Sequence, residues 1–193
     1  MATTTTLPIL SGDGGLSRYL NEIKAFPVLS VEEEFMLAKR FQEHGEPEAA
    51  HKLVTSHLRL VAKIAMQYRG YGLPVADLIS EGNLGLMKAV KKFDPDKGFR
   101  LSTYAMWWIK ASVTEYILRS WSLVKMGTMA AQKKLFFSLR KAKRRLAIAD
   151  ARQIDAENAQ LLSKQFGLPA ADIAHMDRRM TARDMSLNAP VSH

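Results

Sequence analysis

From residue 16 to residue 182 the apolar side chains return every three or four positions, and no segment alternates every second one. A period near 3.6 buries one stripe of a helix, whereas a half-buried strand needs a period of two. The expected fold class is therefore all-α, a helical bundle followed by a small helical unit. Punctuation divides the pattern. Leu16, Tyr19, Leu20 and Ile23 mark a first short helix over 16–26, ending before Pro27. Ser30 with Glu33 three residues on forms a capping box, and Val31, Phe35, Met36, Leu37 and Phe41 carry that helix to Gly45. Pro47 suits the first turn of the next, which runs to Arg69 and breaks at GYGLP, 70–74. A further helix spans 75–92 despite Gly82 and Gly85. Each glycine costs about 1 kcal/mol against alanine in a helix, so a pair three apart predicts close helix packing. DPDKG at 94–98 reads as a turn, and Ser102 as the cap of a helix over 102–121. Thr128 opens a basic helix to 148, and two shorter helices, 155–166 and 169–182, flank GLP at 167–169. The expected organisation is a disordered N-terminus over 1–15, a bundle over 16–148 and a helical unit over 149–190.

The 193 residues carry a net charge of +9, unevenly placed. Between 86 and 145 stand 15 Lys and Arg against 3 Asp and Glu, a balance of +12, while the flanks are slightly acidic. A basic middle of that kind is the electrostatic footprint of a polyanion partner. The same window holds STYAMWWIKASVTEYILRSW, 102–121, with all three tryptophans and two of the five tyrosines. Met106, Ile109, Val113 and Ile117 already supply one apolar face, with Tyr116 beside it. Tyr104, Trp107, Trp108 and Ala111 lie opposite, and Lys110, Thr114 and Arg119 fall between. Two arrangements follow: a central helix buried all round, or a platform of rings open to unstacked bases. Phe93, Phe99 and Arg100 with Lys88, Lys92 and Lys97 favour the platform. Single strands need cations for phosphates and ring faces for bases, at about 1–3 kcal/mol per base.

Other chemistries find less support. There is no cysteine, hence no disulfide or thiolate site. His44, His51, His57, His175 and His193 are scattered, with no triad, phosphate loop or metal spacing. No catalytic residue, metal or cofactor is expected. Mean hydropathy is −0.13, and no apolar run approaches the roughly 20 residues of a membrane span. MATTTTLPIL lacks the pattern of a signal peptide. A cytoplasmic protein without membrane contact, monomeric when free of partners, is expected.

DLISEGNLGLMKAVKKFDPDKGFRLSTYAMWWIKASV, 77–113, resembles region 2 of the bacterial sigma-70 family of initiation factors. RGYGLP, 69–74, and QKKLFFSLR, 132–140, are similar to segments of its heat-shock class, although Ser138 stands where asparagine is usual. The resemblance covers about 16–190. It implies a factor that binds core RNA polymerase through the clamp coiled coil of the largest subunit. It also implies capture of the melted, single-stranded minus-ten element of heat-shock promoters. By position, Asp77, Ser80, Glu81, Asn83 and Met87 fall on the polymerase-binding face, with Gln132, Lys134, Phe136, Phe137 and Arg140 as further polymerase-binding candidates. For Asp77 and Glu81 residue type alone favours a solvated face. Phe93, Phe99, Thr103 and Tyr104 fall where the family accepts a flipped adenine. Trp107 and Trp108 resemble the wedge at the junction with duplex. Lys88, Lys92, Lys97, Arg100 and Lys110 would meet phosphates, which position without specifying. Thr114, one turn from Lys110, is placed for duplex just upstream.

Three departures stand out. Ser80 replaces a frequent glutamine, Leu101 a ring of the housekeeping class, and Ala111 a base-reading glutamine. An alanine can offer only apolar contact, as to a thymine methyl, so the resemblance implies a promoter preference unlike the housekeeping one. NAQLLSKQFGLPAADIAHMDRRM, 158–180, resembles the helix-turn-helix of region 3, with Arg178 and Arg179 facing phosphates. The family's C-terminal domain, which reads the minus-thirty-five element, has no counterpart in these residues, so incomplete promoter recognition is expected. The alternative is a stand-alone repressor reading duplex DNA through 158–180.

Overall fold

The computed structural model describes residues 15–122, 130–145 and 154–181. Eight α-helices and three short 3-10 turns form most of the described residues, and no strand occurs among them. The chain divides into two compact units, Met1–Trp121 and Ser122–His193. The boundary falls nearer the aromatic helix than the expected 148. The expected disorder before residue 15 and the cap at Thr128 lie outside the described residues.

The first unit contains α1 (Gly15–Glu22), α2 (Val31–His44), α3 (Pro47–Gln67), α4 (Val75–Lys92) and α5 (Leu101–Ser120). Its core is built from α3, α4 and α5. Leu53, Leu58, Val61, Ile64, Leu78, Ile79, Leu86, Leu101, Ile109, Val113 and Ile117 are all buried, each such side chain contributing roughly 1.5–3 kcal/mol through the area it removes from water. Tyr19 and Ile23 anchor α1 and the turn after it. The Ser30–Glu33 capping box forms, with Glu33 N donating to Ser30 Oγ at 3.1 Å and Ser30 N to Glu33 Oε2 at 2.9 Å. These bonds to Ser30 hold the Glu33 carboxyl below its ordinary value.

Two local expectations are corrected. Val31, Phe35 and Met36 do not form the inward stripe of α2; they are 60%, 44% and 63% exposed. The buried residues are Glu34, Leu37 and Ala38, with an acid on the inward stripe. Nor does Ser102 cap the aromatic helix. The helix begins at Leu101, with Arg100 at the N-cap and no cap from its own side chain.

The second unit contains α6 (Ala130–Arg145), α7 (Ala156–Phe166) and α8 (Ala170–Thr181). Gly167, at φ 65°, turns α7 into α8, and Ser163 Oγ donates to Leu168 O across that turn at 2.6 Å. Leu135, Phe136, Leu139, Ala142, Ala159, Leu162, Ile173 and Met176 are its buried apolar residues among those described. Asp177, 2% exposed, accepts from Lys143 Nζ at 2.7 Å and from Ile154 N at 2.8 Å.

Candidate nucleic-acid interface

Helices α4 and α5 run antiparallel in close contact, and the glycine pair explains how closely. A Cβ on Gly85 would lie 2.7 Å from the Trp108 carbonyl oxygen and 3.0 Å from Ile109 Cα. One on Gly82 would lie 2.6 Å from Val61 Cγ1. Glycine thus lets the backbone of α5 approach α4 directly. The antiparallel run also separates the charges. Asp77 and Glu81 open α4 beside the last turns of α5. Lys88, Lys91 and Lys92 close α4 beside the first turns of α5. Fifteen residues at 1.5 Å per residue put about 22 Å between these ends.

At the basic end the rings are arranged in series. Phe93 and Tyr104 have centroids 6.0 Å apart, and Tyr104 meets Trp108 edge-on at 6.2 Å. Lys92 Nζ stands 4.7 Å over the Trp108 ring, a cation–π contact. All three rings are half-buried. Trp107 and Phe99 are each 70% exposed. The two tryptophans are therefore unlike: Trp108 is braced by neighbours, and Trp107 presents its ring to solvent. Ile109, Val113 and Ile117 are buried as the wheel requires, together with Leu101 and Ala105, while Met106 is only half-buried. The helix is not buried all round, since Thr103 and Ala111 are exposed with Trp107.

Lys88 and Lys92 are exposed and Lys110 half-buried. Exposed Lys97 lies 3.7 Å from Asp94, a surface pair of the kind worth about 0–1 kcal/mol. Thr114 returns its hydroxyl to Lys110 O at 2.7 Å. Arg100, expected to meet phosphate, is half-buried and engaged within the protein. Its Nε and Nη2 donate to Glu34 at 3.1 and 3.2 Å, and Nη2 also donates to Leu29 O at 3.2 Å. The Glu34 hydrogen bonds raise its pKa further. Arg100 fastens the start of α5 to α2, a role a basic residue in a basic run does not announce.

At the acidic end Asp77 and Ser80 are exposed and Glu81 is half-buried. Tyr116 donates to Asp77 Oδ2 at 3.2 Å, and Arg119 Nη2 approaches Glu81 Oε1 at 3.5 Å. Burial and the neighbouring carboxylate push the Tyr116 hydroxyl above its ordinary value. Ser80 Oγ donates back to Ala76 O at 3.0 Å. Met87 is 46% exposed, and Leu84, which the sequence reading passed over, is 50% exposed on the same face. Its signal was available, since 77, 80, 84 and 87 share one helical stripe. Asn83 faces away from this stripe: its amide donates to buried Tyr19 at 3.3 Å and its Oδ1 is buried without a partner.

On α6, Lys134 and Arg140 are exposed and Gln132 and Phe137 are half-buried. Phe136, expected among the contact residues, faces inward. It is 0% exposed and meets Phe137 edge-on at 5.1 Å, so it belongs to the core of the second unit. Among the described residues no group of three or more His, Asp or Glu is placed to hold a metal ion, and no helix is long and apolar enough to cross a membrane.

Rings and cations thus stand at one end of the α4–α5 pair and acids at the other. Sigma-70 region 2 matches residues 53–122, and sigma-70 region 1.2 matches residues 16–46. The chain belongs to the sigma-70 family, and its relatives point to the heat-shock class. It is 62% identical over 186 residues to the RNA polymerase sigma factor RpoH of Caulobacter vibrioides, covering 96% of this chain and 63% of that protein. It is 58% identical over 191 residues to RpoH of Rhizobium radiobacter, covering 99% and 63%. It is also 48% identical over 181 residues to the RNA polymerase sigma-C factor of Myxococcus xanthus, covering 94% and 61%. The chain thus spans less than two thirds of the length of these relatives.

Proposed function

We propose that this chain serves transcription initiation without being an enzyme: it engages core RNA polymerase, directs it to heat-shock-type promoters and holds the melted minus-ten strand. The observation that carries the reading is the ring series Phe93–Tyr104–Trp108, with Lys92 over Trp108 and Trp107 70% exposed beside it. An extruded base leaves its stack at a cost of a few kcal/mol. A ring face already held in place returns part of that stacking without having to be ordered on arrival. Lys88, Lys92 and Lys97 attract the backbone that follows the base. The exposed stripe of Asp77, Ser80, Leu84 and Met87 suits a basic, partly apolar protein surface such as a coiled coil. The RpoH names of the relatives support the promoter class. Ala111, exposed on α5, fits a preference for apolar contact at the base it meets.

A pull-down with purified core polymerase, followed by competition between single-stranded and duplex minus-ten oligonucleotides, tests the reading. Core binding with preference for the single strand is expected. Tight duplex binding without polymerase would instead identify a stand-alone repressor working through α7 and α8.

A further inference from the structure

The most heavily engaged acid in the first unit lies on neither candidate face. Glu34 is 3% exposed. Its Oε1 accepts from Arg100 Nε at 3.1 Å and from Leu101 N at 2.8 Å, and its Oε2 accepts from Arg100 Nη2 at 3.2 Å. His57 Nε2 stands 3.6 Å from Oε2, and its Nδ1 lies 2.8 Å from Leu53 O. Burying a carboxyl group is costly unless partners of this number and kind hydrogen-bond it.

The bond to Leu101 N has a particular consequence. The first N–H groups of a helix lack partners within it, and a neighbouring Ser, Thr, Asp or Asn usually supplies one. Arg100 at the N-cap has no acceptor in its side chain. The acceptor arrives from α2, 67 residues earlier in sequence, and its charge complements the positive end of α5. Thr103 and Tyr104 lie on that first turn.

We propose that Glu34 is a positioning residue for strand capture: it caps α5 in trans and clamps Arg100, so that the turn bearing Thr103 and Tyr104 holds its base-accepting geometry before DNA arrives. This inference rests on the strand-capture reading above. A turn fixed in advance binds more tightly because less order is lost on association. Glu34 touches no base in this account; it acts through α5.

The test compares the wild-type chain with Glu34→Gln, which keeps the size and an acceptor for Leu101 N but removes the charge-assisted fork to Arg100. Three readouts are needed: amide hydrogen exchange of the free chain, affinity for core polymerase, and affinity of the polymerase complex for a single-stranded minus-ten oligonucleotide. Exchange at Leu101–Tyr104 is expected to quicken and oligonucleotide affinity to fall by about tenfold, the size of a lost hydrogen bond between charged groups. Exchange over Ile109–Ile117 and affinity for polymerase should hold. Unchanged exchange at Leu101–Tyr104 overturns the proposal, and so does quickened exchange with full oligonucleotide affinity. If Glu34→Gln does not fold, Glu34→Asp keeps the charge but withdraws it from Leu101 N, and the same two outcomes decide. If the wild-type complex itself fails to prefer the single strand, strand capture is at fault, while the exchange measurement still reports on the cap.

Discussion

Gly85 meets a carbonyl oxygen and an α-carbon of α5, whereas Gly82 meets the end of a valine side chain. Backbone cannot step aside as a side chain can. Gly85→Ala is therefore expected to cost about 1–3 kcal/mol in overpacking, of which alanine's better helix propensity returns roughly 1 kcal/mol. Gly82→Ala should cost less, because its new methyl meets a side-chain methyl of Val61 and not backbone. Urea midpoints of the two variants check the order, and equal midpoints would contradict it. This closeness was legible in the spacing GNLG, since two glycines inside a helix need a steric reason. The role of Glu34 was not legible. An acid within EEE reads as solvated surface, and nothing local links it to Arg100, its partner 66 residues away.

At the scale of elements, α2 shows how a polar residue on the inward stripe misleads a count of apolar positions. Glu34, Leu37 and Ala38 share the buried face, while Val31, Phe35 and Met36, the better hydrophobes, are exposed. The start of α2 was readable because a capping box is a local pattern with a local cause. Ser30→Ala should lower stability by about 1 kcal/mol, as loss of a helix cap does, measured by thermal unfolding. Glu33 adds a dependence on pH. Its folded pKa lies below the ordinary 4.5, so its contribution is complete above that value and is lost as pH falls through the lowered one. Glu33→Gln should make the acid limb of the stability curve shallower, and an unchanged limb would contradict the assignment. In the second unit Asp177 holds both Lys143 and Ile154 N. Asp177→Asn leaves a largely buried lysine unpaired and should cost roughly 3 kcal/mol, read as faster hydrogen exchange in α8.

At the scale of the whole molecule, the helical class followed from one period repeated along the chain. The basic middle, 15 cations against 3 anions between 86 and 145, pointed to a polyanion. What the sequence left open was which cations and rings face outward, because that depends on how α4 and α5 cross. The crossing braces Trp108 and exposes Trp107, while Glu34 of α2 engages Arg100. If Lys88, Lys92, Lys97 and Lys110 each neutralise a phosphate, log affinity for a single strand should fall with log salt at a slope of about −3, from about −0.7 per phosphate. Lys88→Gln should reduce that slope by about 0.7, whereas Tyr104→Ala should weaken binding and leave the slope alone.

The most direct test is the affinity of the chain–polymerase complex for a single-stranded minus-ten oligonucleotide, wild type against Tyr104→Ala, with polymerase affinity measured alongside. A base stacked on that ring contributes about 1–3 kcal/mol, so a loss of about 5- to 150-fold at constant polymerase affinity is predicted. Equal oligonucleotide affinity in the two proteins would contradict capture of an unstacked base at this end of the helix pair.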